Sequence, residues 1–287
     1  MDEVVGTDIE EEMFWVSNLE AGEVVAFSVE SGERLGPVVD PTTLPSFLQP
    51  FRPSSAVQKG EEVVVTQYST GEVLAFAAET GAFDRVVFEN EASASAPRVE
   101  EPCMIRVFDH QTWVLGNDTR NLLILDESDA VVEEVGRSPL HLRNPHGFDV
   151  TPDGLLYVAM SPTHPGNGLI QIWDLNVGRP VGEFAPYGEI EEGTGLMVAE
   201  DHTLIVSDWF GNQVVRYDAH TGEKIETILD GSHGLDNPVA TATSEAGSLL
   251  VLDSMGVLVH SSSGVERLVD ASDENLQWAR GITVPSF

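Results

Sequence analysis

Gly22-Glu23-Val24-Val25-Ala26-Phe27 and Gly71-Glu72-Val73-Leu74-Ala75-Phe76 are near-copies of one another, and each runs on into the same kind of turn, Glu30-Ser31-Gly32 and Glu79-Thr80-Gly81. An apolar strand closed by an acidic–hydroxyl–glycine turn, written twice, marks an internal repeat. A second strand precedes each copy, at Phe14-Trp15-Val16 and Val63-Val64-Val65. Its equivalents recur at Thr112-Trp113-Val114, Leu156-Tyr157-Val158, Leu204-Ile205-Val206 and Leu250-Val251-Leu252. Ahead of these strands stand six short triplets: Pro53-Ser54-Ser55, Pro102-Cys103-Met104, Pro145-His146-Gly147, Gly193-Thr194-Gly195, Pro238-Val239-Ala240 and Ala279-Arg280-Gly281. Their third positions lie 41 to 49 residues apart.

Strands rich in Val, Ile and aromatics, broken by Gly and Asp turns and without a helical period, give an all-β fold. A repeat of this length holding four strands is the pattern of a β-propeller. One four-stranded sheet cannot cover both its own faces, whereas blades set around an axis cover each other's. The chain ends interlock as well. Arg280-Gly281-Ile282-Thr283-Val284 is a first strand with no second strand after it, and Met13 to Val16 is a second strand with no first strand before it. The sequence therefore predicts a six-bladed β-propeller of four-stranded antiparallel blades over residues 13–287, its ring closed by the C-terminal strand joining the N-terminal blade. Residues 1–12, with six carboxylates, are expected to form an acidic disordered tail.

Two segments carry a family resemblance. Gly195-Leu196-Met197-Val198 through Asp208-Trp209-Phe210-Gly211-Asn212-Gln213-Val214-Val215-Arg216-Tyr217, and Pro145-His146-Gly147-Phe148-Asp149-Val150-Thr151-Pro152-Asp153-Gly154, resemble NHL-repeat six-bladed propellers. The second is similar to blades of streptogramin B lyase and of peptidylglycine-type lyases. The resemblance covers about residues 13–287, and its motifs belong to the scaffold, so it implies the fold more than a chemistry. In lyases of that type, axial histidines and an acid support a metal and a general base. Among the triplet centres only His146 matches; the others are Ser54, Cys103, Thr194, Val239 and Arg280. The gluconolactonase group needs Glu, Asn and Asp at such positions to bind its cation, and these triplets lack them.

The 287 residues hold 14 Lys plus Arg against 48 Asp plus Glu, a formal charge of −34. Such a surplus excludes ordinary nucleic-acid binding, which depends on neutralising phosphates, and disfavours anionic membrane surfaces. No apolar run of roughly 18 residues or more suggests a bilayer-spanning helix. The single cysteine, Cys103, excludes an internal disulfide. Carboxylates with only two lysines, Lys59 and Lys224, suit either the cytoplasm of a salt-adapted organism or a secreted or periplasmic protein whose leader has been removed. The saline reading predicts a melting temperature that rises between low salt and molar KCl, which a thermal melt in each buffer checks. A monomer is expected.

Strand order sorts residues by face. Those just before a blade's first strand and just after its second share one end of the axis: Arg52, Arg143, Asn144, His146, Glu192, Trp278 and Arg280 in the first group; Tyr68, Asn117, Arg120, His164, Asp208, Trp209 and Asp253 in the second. The proline-rich segment 36–51 has the length and apolar content to lid that end. The first function that follows is a site for an anionic, partly apolar small molecule or peptide. Arg52, Arg143, Arg280 and Arg120 would supply guanidinium forks, Tyr68, Trp209 and Trp278 an apolar wall, with Asn144 beside them. The alternative role for these arginines is to pair with Glu101, Glu192, Asp208 or Asp253 and tie blades together. The second function is a metal-dependent lyase or hydrolase centred on His146, with Asp208 and Asp253 as candidate ligands for one divalent ion. The same three residues also read as a satisfied structural histidine and two turn aspartates. The third function is a protein–protein scaffold contacting partners through the loop around Phe47.

Overall fold

The computed structural model describes residues 11–91, 96–136, 142–161, 168–184, 189–274, 276 and 278–285. It contains six four-stranded antiparallel sheets arranged as the blades of a propeller. Blade 1 is composite: its inner strand is Ala279–Thr283, followed outward by Met13–Asn18, Glu23–Ser28 and Arg34–Pro37. Blade 2 runs outward from Pro53–Lys59, blade 3 from Pro102–Phe108, blade 4 from Pro145–Val150, blade 5 from Gly193–Val198 and blade 6 from Ala240–Thr243. The ring closes where Trp15, Val16 and Ser17 pair with Thr283, Ile282 and Gly281. Burial of Val16 and Ile282 in that seam contributes about 1.5–3 kcal/mol each.

Six apolar cores lie among the described residues, one between each pair of neighbouring blades. The second strands show how the sequence builds them. In Glu62–Gln67, Val63 and Val65 point into the core shared with blade 1, while Val64 points into the core shared with blade 3. Both faces are covered, so the strand reads as a continuous apolar run rather than an alternating one.

At the axis, five of the inner strands carry a bulge, falling at Ser54, Cys103, His146, Thr194 and Arg280. A bulge inserts one unpaired residue and re-aims its side chain. Here it turns the middle residue of those five triplets out of the ladder. The third triplet position is small in every blade but the third, which has Met104, and the inner strands approach one another closely there. A Cβ on Gly195 would come within 2.9 Å of Ala240 Cα, and one on Gly281 within 2.9 Å of the Ser54 carbonyl oxygen.

Segment 36–51 does not lid the axis. Leu44, Leu48 and Phe51 are buried in the core between blades 1 and 2, and the Gln67 side chain donates to the carbonyls of Leu48 and Pro50 at 3.0 Å each. Its leucines and Phe51 fill the cleft beside which the segment starts, while Phe47 stays outside, 73% exposed. The propeller also extends two residues into the expected tail. Val29 N–H donates to the Glu12 carbonyl at 2.9 Å, and Ser28 Oγ donates to the Glu11 carboxylate. Residues 1–10 lie outside the described set.

Candidate functional site

The triplet centres of all six blades, Ser54, Cys103, His146, Thr194, Val239 and Arg280, line one cavity of about 270 Å³ at the end of the axis where the inner strands begin. Tyr68, Asn117 and Glu192 from the adjoining loops complete it, with Met104 and Ala240 below. Two of the hydroxyls are already committed to the ring: Ser54 donates to the Pro102 carbonyl, and Thr194 to the Pro238 carbonyl at 2.8 Å. Each bonds the next blade, so these positions fasten neighbours together. The chemistry is left to Arg280, His146, Glu192 and Tyr68.

His146 is held from several sides. Asn144 Nδ2 lies 3.0 Å from its Nε2, Asn117 Nδ2 3.4 Å from its Nδ1, and Glu192 Oε1 3.4 Å from Nε2. Asn117 is itself anchored, donating to the Pro145 carbonyl at 2.8 Å. Burial, and then the positive charge of Arg280, lower the imidazole to about 4, so it is neutral at physiological pH. Glu192 is pushed above the usual carboxylate range by burial and by Asp208, with Arg280 opposing. Tyr68 is raised by burial and by the Glu101 carboxylate at its hydroxyl. Burial pushes the Cys103 thiol up to about 12, which leaves it protonated and unreactive as a nucleophile.

The candidate arginines separate. Arg280 is exposed to the cavity and makes no hydrogen bond or ion pair through its guanidinium among the described residues. Arg52 pairs with Glu20 and lines a different hollow, formed with Pro41, Gln49 and Phe51. Arg120 and Arg143 are exposed and line no part of the axial cavity. Trp209 packs against the core between blades 6 and 1, and Trp278 stands 56% exposed outside the cavity lining. Tyr68 alone of the three expected wall residues enters the cavity. His164 lies outside the described residues.

Asp208 and Asp253 are fully committed elsewhere. The Asp208 carboxylate accepts from the backbone N–H groups of Glu191, Glu192 and Gly211 and from Gln213 Nε2, at 2.8 to 3.2 Å. Asp253 accepts both arms of Arg267, at 2.5 and 2.9 Å, and the N–H groups of Asp236 and Met255. Neither faces His146 across the cavity, and no three His, Cys, Asp or Glu side chains converge as a metal-binding set among the described residues. Sequence reasoning placed Glu192 at this end of the axis only as a pairing partner for an arginine; the position just before Gly193 is the signal that marks it as axial.

A larger hollow, of about 780 Å³, opens between blades 5 and 6 at the opposite end. Its arginine, Arg216, is tied to Asp201 and Glu226. The smaller axial cavity holds the uncommitted chemistry.

No family model matches the chain, and no curated protein matches its sequence. Solved structures do match. A chain of the nidogen/laminin complex superposes with a TM-score of 0.71 at 12% identity, over 95% of this chain and 97% of that one. A protein of unknown function from Bacteroides caccae superposes at 0.70 with 11% identity, over 96% and 98%. Streptogramin B lyase superposes at 0.58 with 16% identity, over 75% and 67%. At these identities the likeness shows the fold alone: a six-bladed propeller, an architecture consistent with ligand binding or with a protein-interaction scaffold.

Proposed function

We propose that the protein is a binding module for a small carboxylate-bearing ligand, a free acid or a peptide end, seated at the axial cavity with Arg280 as its anchor. The observation that carries this reading is the state of Arg280. In a chain of −34 charge, Arg34, Arg52, Arg85, Arg98, Arg216 and Arg267 each hold a carboxylate. Arg280 stands in a cavity with its fork unused. A guanidinium so placed matches the two oxygens of a carboxylate. Val239, Ala240 and Met104 offer the apolar remainder of the ligand a wall. The cavity lies at the small end of ligand sites, which favours a ligand of few heavy atoms.

Thermal shift with a panel of short aliphatic and aromatic carboxylic acids tests this. At least one acid is expected to raise the melting temperature of the native protein and to leave Arg280→Ala unmoved, an affinity loss of about 1.5 kcal/mol or more. Equal shifts in both proteins would refute the anchor.

A second reading rests on a different observation. Phe47, Phe210, Met255 and Trp278 are all 49–73% exposed, and strand order puts their loops on the same end of the propeller as the cavity. That supports a scaffold role in which a partner covers the rim. A partner bound there would lose affinity on Phe210→Ser together with Trp278→Ser; unchanged binding would dispose of it.

A further inference from the structure

We propose, building on the carboxylate reading above, that the ligand is a zwitterion: Arg280 takes its carboxylate while Glu192 takes an ammonium on the same molecule. Arg280 belongs to blade 1 and Glu192 opens blade 5, so the two stand on the cavity wall with blade 6 between them. Each lies within electrostatic reach of the other, yet they form no ion pair. Val239 of blade 6 lies between their blades and supplies an apolar surface. A guanidinium and a carboxylate held apart across a small cavity have the charge pattern of a molecule with both signs and a short aliphatic link.

The charge balance of the cavity argues the same way. His146 is neutral, so among the described residues Arg280 is the sole cation lining it, and Glu101 and Glu192 bring two carboxylates to its neighbourhood. A plain anion bound at Arg280 would meet those carboxylates with nothing to offset them. An ammonium on the ligand turns the repulsion from Glu192 into an attraction. The Glu192 side chain has the acceptor capacity for it: among the described residues its polar contact is the 3.4 Å approach of the His146 ring. The backbone N–H of Glu192 is fixed by Asp208 at 2.8 Å, so the carboxyl is carried on a rigid base. A charged partner would also restore the ionised form that burial disfavours there.

Isothermal titration of the full chain with propionate, butyrate, β-alanine, γ-aminobutyrate and n-propylamine tests this without a variant. At least one amino acid is expected to bind about tenfold or more tighter than the acid lacking its amino group, the scale of one charge-assisted hydrogen bond. Glu192→Gln, a near-isosteric change, is expected to remove that preference by weakening the amino acids, while propionate and butyrate bind as well as before or better, because the repulsion from Glu192 is lifted. Acids that bind as well as their amino counterparts, or a preference that survives Glu192→Gln, overturn the zwitterion and leave the Arg280 anchor standing. Binding by none of the acids and amino acids overturns both. Circular dichroism of the variant separates a lost site from a lost fold.

Discussion

The spaces between blades and the space at the axis are bounded by the same inner strands, yet they are filled on opposite principles. Between blades, equivalent positions carry interchangeable residues: Val63 and Val65, Leu204 and Val206, Leu250 and Leu252 all serve the same purpose. At the axis, six equivalent positions carry six different residues, Ser54, Cys103, His146, Thr194, Val239 and Arg280. Repetition gives the ring its stability, and departure from repetition gives the cavity its chemistry. Two arginines express the contrast. Arg267 clamps the buried Asp253 carboxylate, and Arg280 clamps nothing within the described residues.

The sharpest way to break this contrast is to attack the filling between blades. Phe76 is fully buried and touches the rings of Phe51 and Phe83. Phe76→Ala is expected to cost about 3–5 kcal/mol in denaturant unfolding, since the ring lies between two blades that cannot collapse onto the void. A cost below about 1 kcal/mol would mean that the blades do not depend on their shared core. Next in size is Arg267→Ala, which leaves the Asp253 carboxylate buried without its guanidinium. About 3 kcal/mol is expected, again from denaturant unfolding. No measurable loss would show that the backbone N–H groups of Asp236 and Met255 suffice for that carboxylate.

A third, smaller effect belongs to the axis. Unfolded, His146 takes up a proton near its ordinary value of 6.5; folded, it resists until about 4. The stability that goes with the neutral ring is complete above pH 6.5 and is lost as pH falls toward 4, by about 3 kcal/mol. Glu192, whose folded carboxyl is raised, works in the opposite sense and moderates the loss. Melting curves of the native protein and of His146→Gln across this window check the assignment. The variant is expected to show the flatter profile, and parallel profiles would assign the acid sensitivity to other groups.

The same contrast explains what the sequence makes legible. Six blades, their strand order and the closure at Ile282 follow from patterns that recur, and recurrence is visible in a string. The cavity is visible only in outline. The triplet centres stand out because they sit at a fixed place in each repeat, which is how His146 and Arg280 come forward. Which arginines enter the cavity depends on where long side chains find carboxylates. Arg52 is taken by Glu20 and the two share another hollow, a pairing that no repeat position encodes. The destination of segment 36–51 is equally hidden, because its leucines suit a lid and a blade cleft alike. Asp208 and Asp253 are typical of turns in composition, and turn anchoring is what they do.

The central claim is that the arginine lining the axial cavity, Arg280, is free for a ligand while Arg267 holds the fold. It is tested most directly by unfolding Arg280→Ala and Arg267→Ala side by side, each with and without the best-binding carboxylate at saturation. A ligand at about a hundred times its Kd adds about 2.7 kcal/mol to the native protein. Arg267→Ala is expected to start lower and keep that increment. Arg280→Ala is expected to start within about 0.5 kcal/mol of the native protein and to lose the increment. An Arg280→Ala protein that unfolds early yet is still stabilised by the ligand would contradict the account, making Arg280 a structural residue and placing the ligand elsewhere.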